Sequence, residues 1–373
     1  MSVVIKEVVT KKELKEFVSF LYKHYKDNKF WVPPLISDEL KTFDREKSPV
    51  FEICRSKLWL AYKDNRCVGR VCGIIIPAWI EKKGEKLARL TRIEFIDDPE
   101  VSAKLFDTVE NWAKEEGMDG IVGPLGFSNL DQSALLIEGH DWIASVASNY
   151  QWDYYQKHFD NYGYTKEIDW LEFRITFPEQ LPERSYRVAE LLKSRYGLRY
   201  VGFKSLKELL PFKEEVAHLY NDAFSDLYGT YPLPDKQLAF YFDKYFPNLD
   251  PRYVKIILDK EDKLAGFAVG MPSLARALRK ANGRLFPFGF VHVLKARRKN
   301  DELELMLVGV RPELQKMGLV SFLINEVWRT ANEDGIKFVE TTGMLENNYV
   351  AIQMWKPFDH IQHKRKRCYR KMF

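Results

Sequence analysis

The sequence predicts a mixed α/β fold, α+β with mixed sheets, built as two consecutive halves. Three observations support this prediction. Strand-like and helix-like segments alternate along all 373 residues, the stretch 177–185 (FPEQLPERS) combines two prolines with several charges as linkers do, and the same order of elements occurs on both sides of it. A chain of this length can bury two separate cores. We therefore predict domains at residues 1–178 and 179–373.

The first half begins with a strand at 3–9 and a helix at 11–26, because alternating apolar residues give way there to apolar residues at helical spacing. A proline-rich passage, WVPPLISDEL, then interrupts regular structure. The later elements follow from the same two periodicities: strands LWLAY, CVGRVCGIII and ARLTRIEFI, helix EVSAKLFDTVENWAKEEG, strand DGIVGPLG, a helical stretch at YYQKHFDNYG, and strand DWLEFRIT.

The second half repeats this order. Helix YRVAELLKSRYG ends at Gly197, since glycine readily closes a helix, and strand LRYVGFKSL follows. The remaining predicted elements are helices PFKEEVAHLYNDAF and DKQLAFYFDKYF, strands YVKIILD, LAGFAVGMP and ELELMLVGV, helix VSFLINEVWRTANEDG, strand KFVETTG, helix NYVAIQMWKPF and strand HIQHKRKRCYRK. Trp112 and Gly117 before MDGIV also match Trp328 and Gly335 before IKFVE. These echoes favour a duplication.

Composition excludes several classes of protein. Hydrophobic residues make up 46% and aromatic residues 14%, which indicates a globular chain, and the formal charge of +5 permits anionic ligands without requiring nucleic acid. The four cysteines lack metal-ligand spacing, so we expect reduced thiols and no metal. The longest uncharged apolar run, VCGIIIPAWI, is about half of a spanning helix. We expect a cytoplasmic protein with neither a membrane nor a nucleic acid as partner.

The stretch VGVRPELQKMGLVSFLI (308–324) is predicted to be a strand end, a turn and a helix start. Pro312 ends the strand, and apolar residues at helical spacing begin at Leu319. The turn between them contains Lys316 and Gly318. A helix N-terminus carries free N–H groups and partial positive charge, and glycine allows an anion to approach the backbone closely. The pattern therefore favours a phosphate site, with a plain turn as the alternative.

The second half resembles the GNAT (Gcn5-related) acyltransferase superfamily. Family members share a Gln/Arg-x-x-Gly-x-Gly/Ala motif after such a strand and an Asn-x-x-Ala helix further on. The matching residues here are Gln315, Lys316, Met317, Gly318, Leu319 and Val320, with Asn348 and Ala351. Val320 departs from the family's Gly or Ala. The first half resembles the same fold without the glycine motif, and the whole chain resembles the tandem-GNAT proteins of bacterial genomes.

The resemblance implies acetyl-CoA or another acyl-CoA as co-substrate. The pyrophosphate of coenzyme A would lie on the 315–320 loop, and the pantetheine arm would run beside Val308, Gly309 and Val310. An acyl group would then move to a small-molecule or peptide amine by direct attack on the thioester. Such a reaction needs a base for the amine proton and an acid for the leaving thiolate.

Glu304 is the predicted base, with Glu340 on the neighbouring strand as second candidate. Period-two alternation would place Glu304 on one strand face with Val308 and Val310. Trp355 lies near the position where the family has the Tyr that protonates the leaving thiolate. Since an indole cannot serve as that acid, we predict that Tyr349 on the same helix is the proton donor.

Several readings remain open. The polar loop at 123–141 is either a site or a turn-rich connection, and the aromatic group at 149–164 either lines a pocket or packs an interface. The basic tail HKRKRCYRK is interpreted as a charged final strand that resists edge pairing. It is also the feature that favours one rival function, a GNAT-fold transferase using aminoacyl-tRNA as donor. The other rival is a non-catalytic ligand-binding protein with decayed sites.

Overall fold

The structure is a computed structural model that describes residues 2–178, 180 and 183–373. Residues 179, 181 and 182 of the predicted linker lie outside this range. The chain folds into two compact units. Unit 1 comprises Met1–Leu171, Ala275–His292 and His363–Phe373, and unit 2 comprises Glu172–Leu274 and Val293–Gln362. The units thus differ from the predicted halves 1–178 and 179–373 mainly because two late segments belong to unit 1.

The mixed α/β architecture that the sequence predicts is confirmed. The strands, numbered in chain order, are β1 (Val4–Glu7), β2 (Arg55–Lys63), β3 (Arg66–Ile75), β4 (Leu87–Phe95), β5 (Gly120–Gly123), β6 (Leu135–Glu138), β7 (Thr165–Thr176), β8 (Arg199–Val201), β9 (Val254–Leu258), β10 (Leu264–Pro272), β11 (Glu302–Val310), β12 (Phe338–Thr341), β13 (Met344–Leu345) and β14 (His360–Met372).

The α-helices between these strands include several that the sequence did not predict, notably at 77–83 and between 275 and 298. They are α1 (Lys11–His24), α2 (Ile36–Thr42), α3 (Pro77–Lys83), α4 (Pro99–Glu115), α5 (Tyr154–Asn161), α6 (Glu183–Tyr196), α7 (Leu206–Leu209), α8 (Lys213–Ala223), α9 (Asp235–Tyr245), α10 (Ala275–Ala281), α11 (Gly289–Arg298), α12 (Leu319–Glu333) and α13 (Tyr349–Gln353). Short 3₁₀ helices occupy Pro49–Glu52, Leu210–Phe212, Phe246–Asn248, Pro251–Tyr253 and Pro312–Met317. Of the helices in the described part of the chain, none has the length and apolarity that crossing a bilayer requires.

Each unit contains the same sheet pattern. In unit 1 the strand order is β1-β2-β3-β4-β5-β14-β7, with antiparallel pairing up to β4 and a parallel β4–β5 pair. In unit 2 the order from the end of β7 is β7-β12-β11-β10-β9-β8, and β11–β12 is the parallel pair. A parallel pair needs a crossover connection, which α4 supplies in unit 1 and α12 in unit 2.

Glycines in the strand beside each parallel pair let the crossover helix approach the sheet. A Cβ placed on Gly73 of β3 would clash with the indole of Trp112 on α4. In unit 2, a Cβ on Gly266 of β10 would lie 3.3 Å from Leu323 of α12, a tight contact. The close helix–sheet packing therefore depends on the missing side chains, and the sequences around both glycines are correspondingly apolar.

The aromatic group at 149–164 packs within unit 1. Tyr155, Phe159 and Tyr164 are buried in its main core together with Phe95 and Trp112. The rings of Phe95 and Tyr155 lie 4.4 Å apart between centroids. These residues therefore supply core packing for unit 1 itself.

The basic C-terminal strand is not an edge strand, so the predicted role in resisting edge pairing is wrong. β14 lies between β5 and β7 in the unit 1 sheet. Asp169, fully buried on β7, accepts hydrogen bonds from Arg367 at 2.8 and 3.0 Å and from Arg365 at 3.1 Å, while Lys371 binds Glu110 at 2.8 Å. Three of the positive charges of this strand are therefore paired with acids of the same unit.

Candidate active site

A β-bulge interrupts β11 and changes which side chains share a face. The register between β10 and β11 passes from Val269↔Leu307 to Gly270↔Leu305, so Met306 is the extra residue. Bulges occur often beside active sites because they redirect side chains and end regular pairing. The strict alternation that the sequence predicts along β11 therefore fails at Met306.

The bulge separates Glu304 from the side chains of Val308 and Val310. A Cβ on Gly309 would face Ala223 of α8, whereas Val310 lies on the opposite face, the face against α12. Glu304 is on the Gly309 face, because Met271 pairs with Glu304, Val269 pairs with Leu307, and alternate β10 residues share a face. The expectation that Glu304 shares a face with Val308 and Val310 is wrong.

Beyond the bulge, β11 continues without β12 alongside. Their parallel register ends at Leu305↔Thr341. Thr342 then turns away, donating its N–H to the Leu305 carbonyl at 3.3 Å and its hydroxyl to the Met306 carbonyl at 3.2 Å. Met306 to Val308 are partly exposed. This divergence opens a backbone edge of β11 at the strand end where the family resemblance would place a pantetheine arm.

The turn after β11 ends at an open helix N-terminus. Gly318 has φ of +87°, a left-handed conformation that disfavours residues with a Cβ, and it is the N-cap of α12 without any side-chain capping bond. Gln315 and Lys316 are exposed, Met317, Gly318 and Val320 are half-buried, and Leu319 is buried. The first turn of α12 thus presents N–H groups and a nearby cation, which suits an anion.

In unit 1 the chain's own groups occupy the corresponding positions. The Asp98 carboxylate caps α4 by accepting a hydrogen bond from the Glu100 N–H at 2.9 Å. The carboxylates of Asp98 and Glu100 both bind Lys63. At the end of β4, the Phe95 N–H donates to the Tyr155 hydroxyl at 2.7 Å, and the Tyr154 hydroxyl donates to the Phe95 carbonyl at 2.5 Å. Acidic groups at this helix start would repel an anion, so the start of α12 suits an anion better than the start of α4.

Buried carboxylates line the sheet of unit 2 where β11 and β12 still pair. Glu304 and Glu340 are directly opposite in register, and both are buried. The Ser273 hydroxyl donates to Glu304 at 2.7 Å. Glu172, within β7, is also fully buried, with a carboxylate oxygen within 4.8 Å of one from Glu340. Paired carboxylates are suitable groups for taking up and delivering protons.

The residues of the predicted Asn-x-x-Ala helix have distinct environments. Asn348 is the N-cap of α13 and accepts the Ala351 N–H at 3.3 Å, which accounts for that pattern. Tyr349 follows in the first turn and is 68% exposed. Trp355 is buried, and its indole N–H donates to the Met344 sulfur at 3.3 Å. Trp355 therefore packs within unit 2, while Tyr349 is accessible.

A polar pocket in unit 1 was not predicted from the sequence. Its wall includes buried or half-buried charged residues contributed mainly by β3 and β4: Glu39, Arg70, Arg92 and Glu94. Glu94 accepts hydrogen bonds from the hydroxyls of Tyr25 and Tyr155, the latter at 3.2 Å. Burial raises the pKa of Glu94 to about 7, although the nearby Arg70 guanidinium acts to lower it. A carboxyl of this kind can exchange a proton near neutral pH.

Arg92 connects the pocket to the polar loop at 123–141. It lies at a bulge in β4 with φ of +47°, and its guanidinium binds the Glu39 carboxylate through two hydrogen bonds of 3.1 Å. Asp131 of the loop is 4.0 Å from Arg92 and accepts the Phe127 N–H at 2.9 Å. Gln132 also lines the pocket. The loop therefore forms turns and also supplies part of the pocket wall.

The sequence does contain a signal for this pocket, namely charged residues within strands that are otherwise apolar. Arg70 interrupts CVGRVCGIII, and Arg92 and Glu94 interrupt ARLTRIEFI. Charged residues are rarely buried unless paired, so their presence in strands predicted to be buried indicates partners or a site.

Comparison with known proteins shows what this chain is similar to. A family model described as the acetyltransferase (GNAT) family matches residues 213–359. Protein YghO of Escherichia coli K12 is 27% identical over 380 residues, covering 98% of this chain and 95% of that protein. A bacterial ceramide synthase of Caulobacter vibrioides is 25% identical over 312 residues, covering 83% of this chain and 80% of that protein.

Solved structures share the fold along the whole chain. A tandem GNAT protein from the clavulanic acid biosynthesis pathway has a TM-score of 0.56 at 11% identity, covering 100% of this chain and 98% of that one. A GCN5-related N-acetyltransferase from Sphaerobacter thermophilus has a TM-score of 0.53 at 10% identity, with coverage of 99% and 95%. The chain therefore has the tandem GNAT fold, and its residues 213–359 match the model of the acetyltransferase (GNAT) family.

Proposed function

We propose that this protein is an N-acyltransferase that moves an acyl group from acyl-CoA to an amine by direct attack. The observation that carries the proposal is the divergence of β11 from β12 after Leu305, next to the open N-terminus of α12 and above the Glu304–Glu340 pair. An exposed strand edge accepts an extended amide chain, the helix start accepts an anion, and the carboxylates exchange protons.

The donor is held by unit 2. The pyrophosphate lies on the N–H groups of the first turn of α12, where Gly318 allows close approach and Lys316 adds positive charge. The pantetheine amides pair with the free edge of β11 at Val308, Gly309 and Val310. This arrangement directs the thioester toward the bulge at Met306 and the buried carboxylates that precede it.

The chemistry is acyl transfer with two proton movements. The amine nitrogen bonds to the thioester carbonyl carbon, the C–S bond breaks, and the amine loses a proton to Glu304, or to Glu340 acting with it. The leaving thiolate takes a proton from Tyr349, the accessible hydroxyl on α13. Ser273, bonded to Glu304 at 2.7 Å, orients that carboxylate.

The acceptor is proposed to be a long-chain amine and the donor a fatty acyl-CoA. The likeness to a bacterial ceramide synthase supports this choice, because a ceramide is the amide of a fatty acid and a long-chain amino alcohol. The aminoacyl-tRNA alternative is weakened, since Arg365, Arg367 and Lys371 of the basic strand that favoured it form ion pairs with Asp169 and Glu110.

Donor binding is tested with one charge at either end of α12. Gly318→Asp places a carboxylate at the proposed pyrophosphate site and should weaken coenzyme A binding at least about tenfold in calorimetry. Gly335→Asp is the matched control: its φ of +72° imposes the same backbone restriction, and nothing lies within 4 Å of an added Cβ. Equal affinity of the two variants would show that the 315–320 loop is only a turn.

Acyl transfer is tested by mass spectrometry with palmitoyl-CoA and a sphingoid base. Glu304→Gln should lower kcat by roughly 10²- to 10⁴-fold while coenzyme A affinity stays unchanged. Glu340→Gln, measured in parallel, assigns the proton acceptor between the two carboxylates. Binding of coenzyme A without acylation of any amine in a broad panel would instead support the non-catalytic alternative.

A further inference from the structure

We propose that residues 275–299, here called the basic segment, attach the protein to the surface of anionic lipid bilayers. The segment, ARALRKANGRLFPFGFVHVLKARRK, contains eight Lys or Arg residues and no Asp or Glu. It thus has a formal charge of +8, whereas the whole chain has +5 and the remainder therefore −3. Such a concentration of positive charge in a mildly charged protein indicates an anionic partner for this segment.

Exposed apolar side chains lie in the middle of the basic segment. Phe286 is 80% exposed and Phe288 75% exposed in the turn between α10 and α11. On α11, the exposed residues Phe290, Val291 and Leu294 follow one another at spacings that share a helix face. Large apolar side chains grouped in this way mark a surface that meets another apolar phase.

Cations stand on both sides of this apolar group. Lys280 and Arg284 precede it, and Lys295, Arg298 and Lys299 follow it, all of them exposed. Surface-bound helices place aromatic and aliphatic side chains at the boundary between headgroups and acyl chains, with Lys and Arg at the headgroups. The order cation, apolar group, cation in this segment has that arrangement, and it requires no spanning helix.

Residues 275–292 of the basic segment belong to unit 1 and pack against its core beside the polar pocket. The Gly283 carbonyl accepts the Ile36 N–H at 3.1 Å, and Ala275 belongs to a buried cluster with Leu21, Trp31 and Val32. Those three residues also line the pocket that contains Glu94. The beginning of the basic segment therefore packs directly against residues of the pocket wall. A bilayer bound to the segment would lie close to that pocket.

Other partners fit these observations less well. A second copy of the chain would bring two segments of +8 together, which repel. Single-stranded RNA would satisfy the cations and stack on phenylalanines, but Val291 and Leu294 offer no flat ring for a base. A bilayer accommodates the cations, the aromatic rings and the aliphatic side chains together. The inference goes beyond the acyl transfer proposed above and departs from the sequence expectation of no membrane partner.

The test is flotation of the purified full chain with lipid vesicles, without donor or acceptor. Vesicles of phosphatidylcholine with about one-third phosphatidylglycerol should bind the protein, and pure phosphatidylcholine should bind it at least about tenfold less. The double variant Phe286→Ser/Phe288→Ser should lower partitioning to anionic vesicles at least about tenfold. The control Tyr186→Ser/Leu191→Ser removes two apolar side chains, each 54% exposed, on α6 and should bind like the unaltered protein.

Any of three results would overturn the proposal. One is equal vesicle binding by the phenylalanine variant and the unaltered chain, with unchanged melting temperatures showing that both are folded. The others are absence of binding to anionic vesicles at roughly 0.1 M salt, and binding to single-stranded RNA that vesicles cannot displace. Because the assay measures only lipid binding, its failure leaves the acyltransferase proposal untouched.

Discussion

Replacing Glu94 by Gln should remove a specific part of the pH dependence of stability. The carboxyl is buried in unit 1, accepts hydrogen bonds from Tyr25 and Tyr155, and has its pKa raised by burial from an ordinary value of 4.5 to about 7. Glutamine has nearly the same shape, and its amide oxygen still accepts a hydrogen bond, but it does not titrate.

The direction follows from proton linkage. Because the folded protein binds the Glu94 proton more tightly than the unfolded chain does, the contribution of this group is complete below about pH 4.5 and is lost as the pH rises through about 7. A difference of about 2.5 pKa units corresponds to a loss on the order of 3 kcal/mol across that window. Above about pH 8 the contribution is constant.

The assay is urea unfolding, followed by tryptophan fluorescence, from about pH 4.5 to pH 8.5. The quantity to plot is the free energy of unfolding of Glu94→Gln minus that of the unaltered chain, since His24, whose pKa burial lowers to about 4, titrates in the opposite sense in both. This difference should rise with pH by about 3 kcal/mol. The exposed Glu115→Gln variant is the control. Parallel curves for Glu94→Gln and the unaltered chain would refute the reasoning.

Three further outcomes are expected. Gly73→Ala should destabilise the protein by about 1–3 kcal/mol in urea unfolding, because the added Cβ would clash with Trp112. The control Gly270→Ala should cost less than about 1 kcal/mol, because the nearest heavy atom lies 3.4 Å from the added Cβ; similar values for the two variants would disprove the packing argument. Asp169→Asn should lower the free energy of unfolding by on the order of 3 kcal/mol at neutral pH, since it leaves the charges of Arg365 and Arg367 poorly compensated. The two arginines hold the pKa of Asp169 below its ordinary value, so the unaltered chain should lose this stabilisation as the pH falls through the folded pKa. A variant as stable as the unaltered chain at neutral pH would contradict this. Tyr349→Phe should lower kcat by about 100-fold without changing coenzyme A affinity, and an unaltered kcat in steady-state assays would exclude Tyr349 as the acid.

The open helix N-terminus could be predicted from the sequence because its determinants are local. Pro312 ends β11, Gly318 adopts the left-handed conformation that glycine tolerates, and the apolar spacing from Leu319 specifies α12. Asn348 likewise caps the helix that begins at the next residue. Local backbone preferences decide such features, and they do so without reference to distant parts of the chain.

The bulge at Met306 could not be predicted in this way. Nothing in ELELMLVGV breaks the alternation, and the extra residue arises from how β11 pairs with β10. Register is a property of two strands, so one strand's sequence leaves it open. Alternation alone therefore assigns Glu304 to the wrong face. The strands that carry Glu304 and Glu340 are nevertheless neighbours, as predicted.

The sequence-based predictions for the basic segment and for the basic tail HKRKRCYRK failed in opposite ways for the same reason. The tail has the composition of an exposed charged edge, but acids remote in sequence, Asp169 and Glu110, neutralise it inside the sheet. The segment at 275–299 carries no predicted helix, because its exposed apolar residues, Phe286, Phe288, Phe290, Val291 and Leu294, give no core-facing pattern. Exposure and ion pairing depend on the surrounding structure, which periodicity does not report.

The sequence by itself determined the order of the main strands and of the two crossover helices, the repeat of that order in two halves, and the turn at Gly318, since each depends on neighbouring residues along the chain. Tertiary structure alone decided the pocket around Glu94, with Arg70 and Arg92 brought together on β3 and β4. It also decided the divergence of β11 from β12 and the pairing of Glu304 with Glu340. These features arise where strands distant in sequence meet, because burial, register and charge pairing are fixed by contacts between elements rather than within them.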